Sequence, residues 1–356
     1  MERRYIGAGM EIQEHVPLAP LTTLKIGGPA RYLVVAGSAA EVREAVDHAG
    51  SRRLPLLVLG GGSNLVVADH GFPGLALKIA IGGVEHHHEG GKAVFDAGAG
   101  ESWDNLVARA VAADCAGIEC MSGIPGTVGG TPVQNVGAYG QEVAETITEV
   151  QALDLQDGQV RSLCAEACGF EYRSSIFNTS ARGRYIILRV TYALQPGGEP
   201  RIEYHDLKNH FAGRSSRPSL AEVREAVRQI RLSKAMLIVE GDEDCRSAGS
   251  FFKNPVLSPG DYDGLVDRAA AKGLQVPAYP AAGQNHKVPA AWLVEQAGFP
   301  KGFQRGAVGI SRKHALALVN RGGATAAELI ALKDDIQRAV RDRFGIELQP
   351  EPVFVG

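Results

Sequence analysis

Hydrophobic residues follow two spacings along the first part of the chain. In residues 39–50 the apolar side chains recur three or four positions apart, which predicts a helix with one buried face, ended by Gly50. Those side chains are Val42, Ala45, Val46 and Ala49. The next segment, LPLLVL at 54–59, is apolar throughout and has the length of a buried strand. Together they predict an arrangement of alternating strands and helices.

Polar residues predict where three further helices begin. Ser102 precedes one apolar stripe and is a candidate N-cap. Ser219 with Glu222, and Thr325 with Glu328, have the spacing of a capping box, in which each side chain bonds the other residue's backbone N–H. The residues expected on the buried faces are Trp103, Leu106, Val107, Ala110 and Val111, then Val223, Val227 and Ile230, and finally Leu329, Leu332, Ile336 and Val340.

Strand-like segments and a change of composition indicate the domain organisation. The segments VQALDL at 150–155 and YIILRVTYAL at 185–194 are predicted strands. A Ser-, Arg- and Pro-rich stretch at 214–218 is predicted to be a linker. The chain is therefore expected to divide into two α/β halves near residue 217.

Composition and charge place the chain among ordinary soluble proteins. It has 356 residues, of which 45% are hydrophobic and 22% charged, with a net charge of −3. This balance gives no reason to expect nucleic acid or an acidic membrane surface as a partner. The N-terminal residues contain no apolar signal segment, and no stretch approaches the ~20 apolar residues that span a bilayer. We therefore expect a cytoplasmic protein.

Cysteine and histidine positions give weak signals for a metal site. The five cysteines are few and odd in number, which argues against a disulfide framework. Cys164 and Cys168 could share a helix face, but no further ligand completes a zinc site. The three histidines at 86–88 lie in the segment GGVEHHHEGG, which predicts a solvated loop. No metal is expected.

Two glycine-rich segments are candidates for binding a phosphorylated cofactor. The first, GGGSN at 60–64, follows the predicted strand directly; the second begins at Ser122 and extends to Gly140. Neither contains a P-loop or a Rossmann fingerprint. By composition alone each is more typical of tight turns than of a ligand site. Two such clusters in one domain nevertheless favour a large phosphorylated cofactor, because glycine lets backbone N–H groups approach phosphate closely.

Several of these segments together resemble one family, the UDP-N-acetylenolpyruvoylglucosamine reductases. In isolation, Tyr172, Arg173, Lys234 and the AGSFFKNP run would be interpreted as surface or loop residues. The segments occur in the family's order across nearly the whole chain. They are TTLKIGG (22–28), GGGSN (60–64), SGIPGTVGGTPVQNVGAYGQE (122–142), YRSSIF (172–177), YHDL (204–207), AGSFFKNP (248–255), WLVEQ (292–296) and PE (350–351). Small departures are Thr131, where alanine is expected, and Pro352.

The resemblance implies an α+β / α/β fold. It consists of a two-part FAD-binding domain of the vanillyl-alcohol-oxidase type, followed by a smaller α/β substrate-binding domain whose last residues return to the active site. The implied parts are FAD-binding subdomains at 1–80 and 81–217 and the substrate-binding domain at 218–356. The QNVGAYGQE segment and the Tyr204 loop resemble the subtype with a longer substrate-closing insertion.

The resemblance also implies an activity: reduction of an enolpyruvyl ether of a UDP-sugar by NADPH through non-covalent FAD. Arg173 matches the cation that stabilises developing negative charge, Glu351 its partner, and Ser250 the proton donor. Implied FAD contacts are Gly60, Gly61, Gly62, Ser63, Asn64, Ile124, Pro125, Gly126, Thr127, Gly129, Gly130, Gln134, Asn135, Gly137, Ile187 and Arg231. Implied substrate contacts are Tyr172, Tyr204, Lys234, Asn254 and Gln296.

The remaining expectations concern partners and rival functions. NADPH and the sugar nucleotide visit one pocket in turn in this family, which accounts for the missing Rossmann fingerprint. We expect a monomer. One rival is an oxidase on the same fold, which would not need AGSFFKNP together with Tyr204 and Glu351. A second is a flavin- or nucleotide-binding protein without turnover, which has no use for the three catalytic candidates.

Overall fold

The computed structural model describes residues 4–6 and 9–356. The helices α1 to α7 are Ala39–Ser51, Trp103–Ala112, His205–His210, Leu220–Ser233, Pro259–Ala270, Ala290–Gln296 and Ala326–Phe344. The strands β1 to β21 are Arg4–Ile6, Met10–Pro17, Pro29–Ala36, Leu56–Leu59, Leu65–Val67, Phe72–Ile79, Val84–Glu89, Lys92–Gly98, Cys115–Ala116, Gly137–Ala138, Gln141–Glu142, Ile147–Asp154, Val160–Cys164, Tyr185–Pro196, Val256–Leu257, Tyr279–Pro280, His286–Lys287, Gln304–Arg305, Val308–Ile310, Leu318–Asn320 and Val353–Val355.

The three helices begin where the sequence predicts, but one cap and one helix end differ from the prediction. The capping boxes at α4 and α7 are both formed, because each N-cap side chain accepts from the third residue's N–H and each glutamate bonds back. Ser102 precedes α2 but its side chain makes no capping bond. The prediction that Gly50 ends α1 is wrong. The helix runs to Ser51, and the residue with left-handed backbone after it is Arg53, with φ 52°.

The chain forms two compact units, each made of non-contiguous segments. Unit 1 is residues 1–16, 30–62 and 72–237; unit 2 is residues 17–29, 63–71 and 238–356. Unit 1 contains a five-stranded sheet in the order β1-β2-β3-β6-β4. Its second sheet has the order β13-β12-β14-β8-β7, with β9 also paired to β14. One apolar cluster, which includes Leu75, Phe95, Trp103 and Tyr192, fills this unit.

Unit 2 is built from three helices and short strands. The strands form two antiparallel sheets, β15-β17-β16 and β18-β19-β20, and β5 pairs with β21 in parallel. Helices α5, α6 and α7 contribute Leu265, Leu293 and Ile336 to the buried cluster of this unit, together with Phe251 and Phe252. Residues from the start and the end of the chain therefore share one core.

The units differ from the predicted division near residue 217. The stretch 214–218 connects α3 to α4 inside unit 1, and the second unit resumes only at Ile238. Helix α4 stays with unit 1 because Val223 and Val227 pack against Leu207. The finer division into subdomains at residue 80 stays a prediction.

Two local predictions about histidine and cysteine are corrected. Residues 86–88 are not a loop but part of the exposed strand β7, where His86 stacks on Phe95 with ring centroids 4.2 Å apart. Cys164 ends β13 and is exposed while Cys168 is buried, so they share no helix face.

No helix in the described part of the chain combines the length and apolar character needed to cross a membrane.

Candidate active site

The two predicted glycine segments contact each other in unit 1. A Cβ placed on Gly61 would lie 2.6 Å from the Cα of Gly126, and one on Gly60 would lie 2.8 Å from Thr127 Oγ1. Real Cβ atoms do not approach other heavy atoms this closely, so glycine at these positions permits the contact. The structure thus joins the loop after β4 to the loop before Val128.

This junction presents donors that the protein itself does not use. Among the described residues, the N–H groups of Gly60, Gly61, Gly62, Gly126 and Thr127 donate to no protein acceptor. Thr127 Oγ1 is buried and likewise has no partner within residues 4–6 and 9–356. A buried polar atom without a partner is costly, and a bound polar ligand would satisfy Thr127 Oγ1. Clustered backbone N–H groups suit a diphosphate, so these residues fit the FAD that the sequence predicts.

Other predicted cofactor contacts form hydrogen bonds within the protein or lie in its core. The N–H groups of Gly129 and Gly130 bond the carbonyls of Ala99 and Thr127, so they fix the second loop. Ile187 is only 7% exposed and lies in the core of unit 1. Ile124, Pro125 and Gln134 are partly exposed. For these residues, and for Gly129, Gly130 and Ile187, contact with the cofactor stays a prediction.

Arg231 lies beneath the second glycine loop. It projects from α4, its Nη2 donates to the Met236 carbonyl over 2.6 Å, and its buried Nε has no partner among the described atoms. A Cβ on Gly123 would lie 3.5 Å from Arg231 Nε. Burial lowers the pKa of Arg231, while the neighbouring Tyr139 and Asp104 oppose that shift. An orphaned guanidinium nitrogen is a second sign of a polar ligand here.

Arg173 is held by the C-terminal part of the second glycine segment, at residues 135–137. Its Nη2 donates to the Gly137 carbonyl over 2.7 Å and its Nη1 to the Asn135 carbonyl over 3.4 Å. Its guanidinium also lies 5.3 Å from the centre of the Tyr172 ring. The residue itself is left-handed, with φ 55°. The predicted catalytic cation and two predicted cofactor contacts therefore form one local cluster.

Tyr204 and Lys234 belong to a neighbouring polar cluster in unit 1. The Tyr204 ring packs edge-on against Tyr139 with centroids 5.4 Å apart. Lys234, at the end of α4, forms an ion pair with Asp206 in the first turn of α3. Burial raises the pKa of Tyr139 to about 12, although the Arg231 charge opposes the rise.

Ser250 and Glu351 lie on adjacent backbone segments in unit 2. The Glu351 N–H donates to the Phe251 carbonyl over 2.9 Å, and the Lys253 N–H donates to the Gln349 carbonyl over 2.9 Å. The Phe251 N–H is itself bonded to the Leu316 carbonyl over 2.8 Å. Residues 349–351 thus form backbone hydrogen bonds with residues 251–253, next to Ser250, the predicted proton donor.

Asn64, Asn254 and Gln296 are also in unit 2. Asn64 donates from Nδ2 to the Glu351 carbonyl over 3.1 Å, so the GGGSN segment anchors the tail. Asn254 accepts the Ala290 N–H over 2.9 Å and so caps α6, at whose other end Gln296 lies. Ser63 accepts a 3.4 Å bond from Thr23 through its carbonyl.

The predicted residues thus divide between the two units: the Gly60–Thr127 junction, Arg231, the Arg173 cluster, Tyr204 and Lys234 lie in unit 1, and Asn64, Ser250, Asn254, Gln296 and Glu351 lie in unit 2. The structure also reveals contacts that sequence analysis missed. Tyr139 lies within the QNVGAYGQE motif, so its place in that motif could have singled it out. Asp104 accepts the Gly123 N–H over 2.6 Å and pairs with Arg224 and Arg228, for which the sequence offers no local signal.

Comparison with known proteins adds independent information. Residues 241–355 match the C-terminal domain of UDP-N-acetylenolpyruvoylglucosamine reductase, and residues 30–163 match a FAD binding domain. The reductase of that name from Thermobifida fusca is 46% identical, covering 96% of this chain and 97% of the relative. The one from Streptomyces coelicolor is 44% identical, covering 96% and 89%. A solved reductase structure (MurB) from Thermus caldophilus has a TM-score of 0.66 and 26% identity, covering 98% and 100%.

Proposed function

Because this chain belongs to the family of UDP-N-acetylenolpyruvoylglucosamine reductases, we propose that it reduces the enolpyruvyl ether of UDP-N-acetylglucosamine to UDP-N-acetylmuramate, with NADPH as reductant and through non-covalent FAD. This reaction is a cytoplasmic step of peptidoglycan precursor synthesis. The observation that carries the proposal is the 46% identity to an enzyme of that name over 96% of this chain.

The cofactor and the fold class predicted from the sequence are confirmed. The chain is an FAD-containing oxidoreductase with a mixed α and β fold. The unpaired N–H groups of Gly60, Gly61 and Gly62, together with Thr127, would hold the diphosphate of FAD. Arg231 Nε offers a further donor to the cofactor.

The substrate's double bond is conjugated with its carboxylate, so its terminal carbon accepts a hydride. The residues at the Gly60–Thr127 junction would hold FAD, which, once reduced by NADPH, would supply that hydride. Negative charge then develops through C2 onto the carboxylate. Arg173 stabilises this charge, since its guanidinium is fixed in advance by the Asn135 and Gly137 carbonyls. Glu351, when protonated, helps to polarise the same carboxylate.

Ser250 donates the proton that C2 must finally receive. A serine hydroxyl is a weak acid, so this role requires a partly desolvated position and neighbouring cations. Ser250 is half-buried, and hydrogen bonds fix the backbone on either side of it: the Phe251 N–H donates to the Leu316 carbonyl and the Gly249 N–H to Ser247 Oγ over 3.3 Å. We place Lys234 at the UDP diphosphate, as a point charge. Tyr172, Tyr204, Asn254 and Gln296 are the other proposed substrate contacts, and the enzyme acts as a monomer.

Stopped-flow spectroscopy of the purified yellow protein tests this function. NADPH should bleach the flavin, and the enolpyruvyl UDP-sugar should restore its absorbance without oxygen. Recovery with oxygen alone would indicate an oxidase, and no bleaching would indicate a binding protein. Mild denaturation should release one FAD per chain. FMN, or a flavin retained by the denatured chain, would contradict the cofactor proposal.

A further inference from the structure

Asn135 is a hub of hydrogen bonds rather than an open cofactor contact. It is 1% exposed and left-handed, with φ 45°. Its Nδ2 donates to Glu142 Oε2 over 2.8 Å and to the Glu171 carbonyl over 3.1 Å, while its Oδ1 accepts the Ala144 N–H over 3.1 Å. Both amide hydrogens are therefore used inside the protein.

The same residue touches Arg173 from two sides. Glu171 and Ser174 close a tight turn through reciprocal backbone bonds of 3.0 and 3.1 Å, and Arg173 lies inside that turn. The Asn135 side chain holds the turn through the Glu171 carbonyl, and the Asn135 carbonyl accepts from the Arg173 guanidinium. Both the backbone and the charged end of Arg173 thus depend on where Asn135 lies.

Glu142 is the acidic member of this cluster. It pairs with Gly137 in the β10–β11 hairpin, and backbone bonds already close that hairpin. Its carboxylate is not needed for the hairpin and instead orients the Asn135 amide. A carboxylate acceptor makes a stronger hydrogen bond than a neutral one, which suits a residue held in a strained conformation.

We propose that Glu142 and Asn135 are positioning residues that aim the Arg173 guanidinium. This inference rests on the proposed role of Arg173 in stabilising charge on the substrate. Electrostatic stabilisation depends on donors fixed before the charge develops, and small displacements cost rate steeply. Glu142 therefore contributes to the sugar half-reaction through geometry, without touching substrate.

Glu142→Leu tests the proposal by separating the two half-reactions. Flavin reoxidation by the sugar should slow by roughly 10- to 100-fold, while FAD content and bleaching by NADPH stay within about twofold of wild type. Glu142→Gln keeps an oxygen acceptor and should stay within about threefold in both phases. Glu145→Leu is the matched control, since that carboxylate pairs with Arg201 instead, and both phases should be unchanged.

A double-mutant cycle decides whether Glu142 acts through Arg173. In an Arg173→Ala background, Glu142→Leu should have no further effect on reoxidation, beyond about twofold. Equal slowing in both backgrounds, or equal slowing by Glu145→Leu, would overturn the inference. If Arg173→Ala alone leaves reoxidation unchanged, the proposed role of Arg173 fails instead. Should Glu142→Leu lose FAD, Glu142→Ala replaces it in the same cycle, and loss of FAD there too would also overturn the inference.

Discussion

Left-handed backbone outside glycine is concentrated near the proposed catalytic residues of unit 1. Nine described residues other than glycine have positive φ, and four of these are Asn135, Tyr139, Arg173 and Ala235, the last directly after Lys234. Such conformations cost on the order of 1 kcal/mol or more and persist only where surrounding contacts enforce them. The hydrogen bonds between Arg173 and the carbonyls of residues 135 and 137 are contacts of this kind.

Arg173→Ala should lose sugar reduction far more than FAD binding. The charge that the guanidinium faces grows along the reaction coordinate, so its removal is felt mainly in the transition state. Loss of one such contact typically lowers the rate by about 10²- to 10³-fold. Steady-state rates at saturating substrates, beside FAD content, measure the effect. Turnover at the wild-type rate would contradict the role.

Ser250→Ala should separate the two half-reactions. Bleaching by NADPH needs no proton at the sugar and should stay near normal, whereas reoxidation by the sugar should collapse. Ser250→Cys should recover part of the second phase, because a thiol is the stronger acid. Stopped-flow traces of both phases give the answer. If Ser250→Ala slows the two phases equally, the residue shapes its loop and does not donate the proton.

At the scale of elements, the close approach of the loops at Gly61 and Gly126 can be tested with one methyl group. In Gly61→Ala the new Cβ would meet backbone at 2.6 Å, so one loop must move away from the other. Overpacking of this kind costs about 1–3 kcal/mol, and FAD affinity should fall by at least about tenfold. Titration of apoprotein with FAD, followed by flavin fluorescence, measures this. Gly50→Ala, in α1 with open space around it, is the control and should bind FAD normally.

The buried carboxylate of Asp154 in β12 forms ion pairs with Arg161 of β13 and with Arg184, the residue before β14, and their effect on stability depends on pH. The Asp154 side chain is fully buried and accepts from Arg184 and Arg161. Hydrogen bonding to Arg184 is the main cause that holds the pKa of Asp154 below its ordinary value, although burial opposes it. A carboxyl with a depressed folded pKa stabilises the fold above its unfolded pKa, and that contribution is lost as pH falls.

Asp154→Asn should therefore lower the melting temperature at pH 7, and the difference from wild type should shrink below about pH 4, near the unfolded pKa of aspartate. Thermal melts at both pH values provide the measurement. Asp267→Asn, on the exposed side of α5, should change the melting temperature little at either pH. A deficit in Asp154→Asn that stays constant down to pH 3 would show that Asp154 acts through packing and not through its charge.

At the scale of the molecule, the chain alternates between the two units. Segments 17–29 and 63–71 belong to unit 2, although unit 1 residues surround them in sequence. Leu24, Ile26 and Val66 are buried in the cluster formed with residues 251–348. Asn320 also bonds the carbonyls of residues 24 and 25 over 3.1 and 3.2 Å.

A chain cut after Leu237 should consequently fail to fold as an independent FAD-binding domain. It would retain the two early segments of unit 2 and expose their apolar side chains, which favours aggregation. Soluble yield and binding of a hydrophobic dye measure the outcome, and co-expression with residues 238–356 should restore soluble protein. A monodisperse, FAD-binding fragment 1–237 would contradict this expectation.

Local features of the chain were determined by the sequence itself. The capping boxes at Ser219 and Thr325 and the strands at 150–155 and 185–194 depend on neighbouring residues and on apolar periodicity, so they were predicted correctly. The family and its FAD followed from motif order along the chain, which is also a property of sequence.

Tertiary structure alone decided what depends on residues distant in the chain. Glu351 pairs with Phe251, which lies 100 positions earlier in the chain, and α4 joins unit 1 through Leu207. The spacing of hydrophobic residues predicts neither contact. The same holds for the contacts of Asn135, whose side chain bonds Glu142 and the Glu171 carbonyl and whose own carbonyl accepts from Arg173. Its role is set by which donors and acceptors reach it once the chain has folded, because both its amide hydrogens are used by residues 7 and 36 positions away.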